Sequence, residues 1–191
     1  ARDLLDKLQA LPEVEVAAIA GSVPLDIHGM PVRTFSVEGR ARTDGAADRM
    51  LSNLVTPGYF AAMRIPLVAG TDFAALGDTS APPQAVVNEE FVRRYIGSAE
   101  ALGRRITNND RTYQIVGVVR DSLYESYGEP PKPIVYLSYR DRPVGEGELH
   151  VRGRMSDETQ LAVSIRRIVR EIDPSLPVYN VRTMTAHVAM S

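Results

Sequence analysis

The chain has 191 residues, of which 44% are hydrophobic and 24% charged, and this ordinary globular composition excludes a largely disordered or collagen-like chain. Its formal net charge is -2, with basic and acidic residues interleaved, so it lacks the basic surface that nucleic acid binding requires and we expect no nucleic acid partner. The chain has no cysteine, which excludes thiolate metal sites, thiol nucleophiles and disulfides without favouring an oxidising or a reducing compartment.

Helices and strands alternate in the first part of the chain. Leucines at helical spacing predict a helix over residues 3–11, which Pro12 ends. Thr56, followed by Pro57, suits the start of a short helix with Thr56 as its N-cap. The predicted strands of this part cover residues 14–20, 32–37 and 50–56, with an extended run over residues 65–73.

The middle part is predicted to be richer in strands. Gly- and Pro-containing stretches at residues 76–83 and 141–147 mark its boundaries. Asn88 is expected to cap a helix that Gly97 ends, and the turn at residues 108–110 predicts a β-hairpin. The predicted strands of this part cover residues 84–87, 104–107, 112–119 and 134–139.

The last part of the chain contains the clearest helix. A strand is predicted over residues 148–151, and Ser156 is expected to cap the helix, with two acidic residues in its first turn. The apolar stripe of this helix consists of Leu161, Ile165, Ile168 and Ile172. A strand over residues 178–182 and a new helix near Thr183 are expected to follow.

No stretch of the sequence approaches the roughly 18 uninterrupted apolar residues of a membrane-spanning helix. The sequence starts inside the first predicted helix and ends just after the last predicted helix begins, near Thr183. We therefore expect a soluble mixed α and β domain that belongs to a longer protein.

Nucleotide-binding motifs are missing from the sequence. The nearest likeness to a phosphate-binding loop, GSAEALGRR from Gly97, lacks the lysine and the Ser or Thr that such a loop needs. The run GEGELH from Gly145 precedes a predicted strand, whereas a dinucleotide fingerprint follows one. We expect no cofactor-binding residue in this chain.

Histidine and serine chemistry is weakly supported. His28, His150 and His187 lie in a predicted loop, strand and terminal helix, without the paired spacing that lets two imidazoles bind one metal. Ser22, Asp26 and His28 share one loop and could form a hydrolytic triad, but Ser22 lacks the Gly-x-Ser-x-Gly setting that exposes a nucleophile. No metal ligand is assigned, and hydrolysis stays a minor hypothesis.

Paired carboxylates and clustered tyrosines each have two interpretations. Glu89 with Glu90 and Asp157 with Glu158 could act as an acid and a base, but their places at predicted helix starts explain them without catalysis. The tyrosines that cluster in the sequence are Tyr124, Tyr127, Tyr136 and Tyr139. They fit either a binding surface or the packing of strands and loops. No residue is assigned a catalytic role.

Several phrases, taken in order, resemble one family. They are LPEVEVAAIAGSVPL, SNLVTPGYFAAMRIPLVAGTDF, QAVVNEEFVRRYIG, ALGRRI, YQIVGVVRD, PIVYLSY and IVREIDPSLPVYNVRTM, and they cover nearly the whole chain. The most distinctive are VTPGYFAAMRIPLVAGTDF and the series VVNE, LGRRI and IVGVV. In this order they resemble the MacB-like extracytoplasmic core domain of FtsX-type ABC transporter permeases.

The resemblance implies an α+β fold with two subdomains. Residues 1–75 and 148–191 would form a porter-like βαβ subdomain from both chain ends. Residues 76–147 would form a smaller, β-rich, sabre-like subdomain inserted between them. The Gly- and Pro-containing stretches lie where such an insertion would begin and end.

The same resemblance implies a role and a location. The domain would lie on the periplasmic side of the bacterial inner membrane, between two membrane helices of its own permease. It would transmit conformational change from cytoplasmic ATP hydrolysis to export or signalling, as a mechanotransmission domain without catalysis or a cofactor of its own. The implied partners are those membrane helices, an ABC ATPase domain or separate subunit that binds ATP, a second permease copy, and a periplasmic adaptor or exported substrate.

Two other functions are carried forward. The tyrosine cluster and the two-part layout also fit a free-standing periplasmic module that binds a peptide or a small ligand. The loop with Ser22, Asp26 and His28 keeps the hydrolase hypothesis open.

Overall fold

A computed structural model of the chain describes residues 1–26, 29–40, 47–97, 100–124, 128–154 and 157–190. The helices are α1 (Arg2–Gln9), α2 (Tyr59–Met63), α3 (Glu89–Phe91, continued by a π-helical turn at Val92–Ile96), α4 (Glu158–Ile172) and α5 (Met184–Ala189). The strands are β1 (Val14–Ala20), β2 (Val32–Val37), β3 (Asp48–Val55), β4 (Leu67–Gly70), β5 (Gln84–Asn88), β6 (Arg105–Asn108), β7 (Arg111–Val119), β8 (Ile134–Ser138) and β9 (Glu148–Gly153). Within the described ranges, none of the helices is long and apolar enough to cross a membrane.

Six strands close into a ring in the order β2, β6, β7, β5, β8, β3. The pairing of β3 with β2 closes it, with Val32 opposite Leu51. The pairs β3–β8 and β5–β7 are parallel and the other four are antiparallel. Closure leaves these six strands without a free edge among themselves, and β4 adds to the outside of β7.

The interior of the ring follows from the two-residue period of its strands. On β2, Phe35 and Val37 are buried while Thr34 and Ser36 are exposed, so every second side chain points inward. The inward side chains form one apolar cluster, which includes Phe35, Val37, Met50, Leu54, Ala85, Val87, Ile106, Tyr113, Ile115, Val135 and Leu137. Phe91 of α3 belongs to the same cluster.

A second unit, the helix-backed pair, consists of β1 and β9 with α1 and α4 packed on them. The two strands are antiparallel, with Ala20 opposite Glu148 and a register irregularity near Val14. Leu5 and Leu8 of α1 and Ile168 of α4 are buried in one cluster with residues of β1. The first helix and the longest helix of the chain therefore rest on the same pair of strands.

Most of the predicted elements are present, and the mixed α and β class is confirmed. Strand β3 begins two residues earlier than predicted, and β9 extends two residues further, to Gly153. The predicted hairpin is β6–β7, with Asn109 in the left-handed conformation at φ 53°. Asn88 caps α3, since its side chain accepts a hydrogen bond from the Phe91 amide.

Two local predictions are wrong, and a third concerns a residue that the structure does not describe. Thr56 is not the N-cap of α2, because Gly58 occupies that position and the Thr56 hydroxyl accepts a bond from Ile19 instead. Residues 178–182 are not a strand; no described strand pairs with them, and Tyr179 is 75% exposed. Ser156 lies outside the described residues, and Asp157, predicted to lie in the first turn, is the N-cap of α4.

The division into subdomains at residues 76 and 147 stays a prediction. The ring combines β2 and β3, which precede residue 76, with four strands that lie between residues 84 and 138. The helix-backed pair takes its elements from the two ends of the chain.

Candidate functional site

The ring meets the helix-backed pair at a junction built from the ends of β1 and β3 and from α2. Only Ala20 and Val55 form a strand pair there. The Ile19 amide donates to the Thr56 hydroxyl, and the Thr56 amide donates to the Ile19 carbonyl, both at 2.9 Å. The threonine side chain thereby extends a strand connection that is one residue pair long.

Helix α2 contacts both strands of the helix-backed pair. Gly58, at its start, has φ 87°, and a Cβ on this residue would lie 3.1 Å from Cγ2 of Val16 on β1. A glycine therefore fits both the left-handed backbone and the close approach. On β9, the Arg152 guanidinium donates to the Ala62 carbonyl of α2, with Nε at 3.0 Å. The short helix thus joins β1 and β9 to the ring.

Three buried tyrosines form the hydroxyl network of the junction. Tyr59 of α2 and Tyr124 have their hydroxyl oxygens 2.7 Å apart, and the Tyr136 hydroxyl of β8 donates to Tyr124 at 3.2 Å. The Ser122 hydroxyl lies 3.3 Å from that of Tyr136. Burial raises the pKa of all three phenols, that of Tyr136 to about 12, so they stay neutral at physiological pH.

The sequence placed Tyr124 and Tyr136 together, but it did not indicate their partner Tyr59. Tyr124 and Tyr136 are each 2% exposed or less, so the packing of the interior explains them and a binding surface does not. Tyr139 lies apart from the network and donates to the Val144 carbonyl. Tyr127 lies outside the described residues.

We expect Tyr124→Phe to lower the free energy of unfolding by about 1–3 kcal/mol, because it leaves two buried hydroxyls without their shared partner. Urea denaturation of the isolated domain measures the change. Tyr179→Phe, at a side chain that is 75% exposed, is the control and should change stability by less than about 0.5 kcal/mol. Equal stability of the two variants would show that the network contributes nothing.

The two described histidines lie at the edge of this junction. The His150 ring on β9 stands edge-on to the Tyr59 ring at 5.6 Å, and its Nε2 is buried without a hydrogen-bond partner among the described residues. Burial, and then the charge of His187, lowers the pKa of His150 to about 4. His187 of α5 has its Nε2 2.7 Å from the Pro24 carbonyl oxygen.

We expect His150 to destabilise the domain as the pH falls. Its pKa is about 4 when folded and 6.5 ordinarily, so the unfolded state binds more protons between those pH values. Stability is full above about pH 6.5 and decreases by up to about 3 kcal/mol towards pH 4. Urea denaturation at pH 7 and pH 4.5 should show a smaller loss for His150→Phe than for the wild type. Equal losses in both proteins would contradict this assignment.

The loop of the hydrolase hypothesis, with Ser22, Asp26 and His28, is described only in part, and that hypothesis stays a prediction. The backbone of Ser22 is bound by the Asn53 side chain, which accepts from the Ser22 amide at 3.1 Å and donates to its carbonyl at 2.9 Å. His28 lies outside the described residues. In the part of the chain that the structure describes, no group of three or more His, Asp or Glu residues is placed to hold a metal ion.

Helix capping and ion pairs account for the paired carboxylates. Glu90 pairs with Arg93 at 2.9 Å and with Arg94 at 3.0 Å, and Glu89 lies beside it in the first turn. Asp157 accepts a bond from the Gln160 amide at 2.9 Å, as an N-cap does. Helix structure therefore explains these residues.

Comparison with known proteins gives the fold and the family. The periplasmic region of MacB from Actinobacillus actinomycetemcomitans is similar at a TM-score of 0.62 and 14% identity, over 88% of this chain and 72% of that chain. The extracellular domain of the noncanonic ABC-type transporter YknZ from Gram-positive bacteria is similar at a TM-score of 0.64 and 12% identity, over 95% of this chain and 87% of that chain. A search of curated protein sequences found no match.

At these identities the two structures establish the fold, and the sequence establishes the family. Residues 3–170 match the MacB-like periplasmic core domain. This span includes the ring, the junction and most of α4. The chain belongs to the MacB-like periplasmic core domain family of ABC transporter permeases.

Proposed function

We propose that this domain transmits conformational change from cytoplasmic ATP hydrolysis to export or signalling outside the inner membrane. One structural observation carries the proposal: α1 and α4 pack on the same strand pair, and that pair holds the ring through the junction. A displacement of either helix therefore moves the strand pair and, with it, the ring. Family membership supplies the permease context.

The junction suits the transmission of force. Its contacts are buried hydrogen bonds and aromatic packing, such as the pair Phe60 and Tyr136, whose ring centroids are 5.0 Å apart. Closely packed interiors have low compressibility and pass strain from one element to the next. Under this proposal the domain itself carries out no catalysis and binds no cofactor.

The proposal also includes a place and partners. The domain would lie on the periplasmic side of the bacterial inner membrane, joined to transmembrane helices of its own permease. An ABC ATPase domain or subunit would bind ATP on the other side. A second permease copy and a periplasmic adaptor or exported substrate would complete the assembly.

Flexible linkers in the full-length permease test the transmission of force. Gly-Ser segments of about ten residues, placed between this domain and each flanking membrane helix, behave as random coils and transmit little torque. We expect the ATP-dependent activity of the permease to be lost while its ATPase subunit still hydrolyses ATP. The control is the same segment inserted at Gly145, which lies in an exposed loop with open space around its Cβ position.

Two outcomes would contradict the proposal. One is a full-length gene without a hydrophobic span on either side of this domain. The other is full activity with both linkers in place, which would favour the free-standing binding module, since binding does not require a rigid attachment.

A further inference from the structure

One end of the ring, here called the mouth, contains polar side chains from four strands and from the turn after β8. Arg33 is at an inward position of β2, because it alternates with Phe35 and Val37. Other side chains at this end are Ser52 of β3, which lies between Met50 and Leu54, Tyr113 of β7, Asn108 of β6 and Arg142 of the turn. The mouth is thus polar, whereas the ring interior behind it is apolar.

Three polar atoms in the mouth are buried, and two of them, on Arg33 and Ser52, have no hydrogen-bond partner among the described residues. The three atoms are Nε of Arg33, Oγ of Ser52 and the hydroxyl oxygen of Tyr113. Ser52 and Tyr113 are each 0% exposed. A buried polar group without a partner is costly, and in native proteins most such groups are satisfied by protein, water or a ligand. Two such atoms, together with a buried tyrosine hydroxyl whose neighbour is the Arg142 guanidinium, lie at one end of the ring and indicate a site that a ligand can complete.

The charge at the mouth is positive, and no ion pair of the described residues neutralises it. Burial lowers the pKa of Arg33, and the neighbouring charge of Arg142 lowers it further. Burial raises the pKa of Tyr113, and Arg142 offsets part of that rise. Among the described residues, no carboxylate forms an ion pair with either arginine, and Arg142 donates to the neutral Asn108 and lies beside the neutral Tyr113 hydroxyl.

Both oxygens of the nearby Asp141 carboxylate already bind other groups. Its Oδ1 pairs with Arg140 at 2.9 Å, and its Oδ2 accepts from the Gln84 amide at 2.9 Å. Arg111 in turn donates to the Asp141 carbonyl. Asp141 therefore fixes the turn that carries Arg142, and it leaves the charges of Arg33 and Arg142 unpaired.

We propose that the mouth of the ring binds a small oxyanion through the guanidinium groups of Arg33 and Arg142 and the hydroxyls of Ser52 and Tyr113. Guanidinium groups only donate, so they match carboxylate, phosphate or sulfate oxygens and reject metal ions. Both arginines are half-buried, so the ligand would reach them from solvent. This inference concerns ligand binding and is independent of the proposed transmission of force.

Isothermal titration calorimetry and thermal denaturation of the domain test the site. Sodium phosphate and sodium acetate are compared with sodium chloride at equal ionic strength, so that a general salt effect is subtracted. We expect phosphate or acetate to bind and to raise the Tm, because a ligand that binds only the native state stabilises it. Binding of phosphate alone identifies a phosphate group as the ligand, and binding of acetate alone identifies a carboxylate.

Arginine variants locate the binding. Arg33→Gln and Arg142→Gln should each weaken binding by about ten-fold or more, because a charge-assisted hydrogen bond is lost. Arg120→Gln is the matched control, since Arg120 is exposed and outside the mouth, and it should bind as the wild type does. If an arginine variant fails to fold, Tyr113→Phe and Ser52→Ala replace it and should weaken binding several-fold.

Two results would overturn the proposal. The first is the absence of binding by phosphate and by acetate in the wild type. The second is an equal affinity, or an equal rise in Tm, in the mouth variants and in Arg120→Gln, which would show that the anion acts on the whole surface.

Discussion

Asn88→Asp is expected to destabilise the domain by roughly 3–5 kcal/mol, since it breaks a fully satisfied buried network and introduces a charge. Asn88 is 0% exposed. Its Oδ1 accepts from the amides of Phe91 at 3.1 Å and Ile134 at 2.8 Å. Its Nδ2 donates to the Lys132 carbonyl at 2.8 Å and to Oδ1 of Asp121 at 2.7 Å. One side chain thus joins β5, α3 and β8.

The substitution keeps the shape of the side chain and changes its chemistry. Both donors disappear, so the Lys132 carbonyl and the Asp121 carboxylate face an acceptor that carries a negative charge. Burial and repulsion will raise the pKa of the introduced carboxyl, so the native state takes up a proton more readily than the unfolded state. The deficit in stability relative to the wild type should therefore shrink as the pH falls from 7 to 5.

Urea denaturation at both pH values measures this effect. Asn180→Asp is the control, because Asn180 is exposed and its φ of 54° is tolerated by aspartate as well as by asparagine. A loss below about 1 kcal/mol at pH 7, or a deficit that does not change with pH, would contradict the role assigned to the Asn88 amide.

Phe35→Ala is expected to destabilise the domain by about 3–5 kcal/mol, as truncation of a fully buried aromatic side chain does. Phe35 is 0% exposed and lies on β2, which closes the ring by pairing with β3 and β6. The loss is the sum of two contributions: the favourable free energy of burying the phenyl group, and the cost of the cavity that its removal leaves. The cavity remains because a closed ring of strands relaxes only in part.

The neighbouring residue on the same strand is the matched control. Ser36 points out of the ring and is exposed, so Ser36→Ala should change stability by less than about 0.5 kcal/mol. Chemical denaturation of both variants gives the comparison. Similar stabilities would show that β2 is not part of a packed interior and that the ring is open.

Local patterns predicted the elements of this fold well. The stripe from Leu161 to Ile172 has the helical period, and α4 is the longest helix. The turn at Asn109 needs a residue that tolerates a positive φ, which asparagine provides, so the hairpin β6–β7 could be predicted from composition alone. Asn88 was identified as a cap because its side chain bonds within its own helix, three residues away.

Predictions failed where the local structure depends on residues far away in the chain. The Thr56 hydroxyl has the right position for a cap, but the Ile19 amide, 37 residues away, donates to it. Residues 178–182 have the composition of a strand, yet a strand requires a neighbour with which to exchange backbone hydrogen bonds, and no described strand provides one.

The sequence by itself determined the class of most elements, the family and the absence of a recognisable catalytic motif, because these depend on residue types at short spacings. Only the tertiary structure decided that β2 and β3 close a ring and that Tyr59 completes the hydroxyl network of the junction. It also decided that Arg33 and Arg142 lie near each other with no carboxylate partner among the described residues. Each of these joins residues far apart in the chain. Their meeting depends on strand pairing and burial across the whole fold, and no local pattern contains that information.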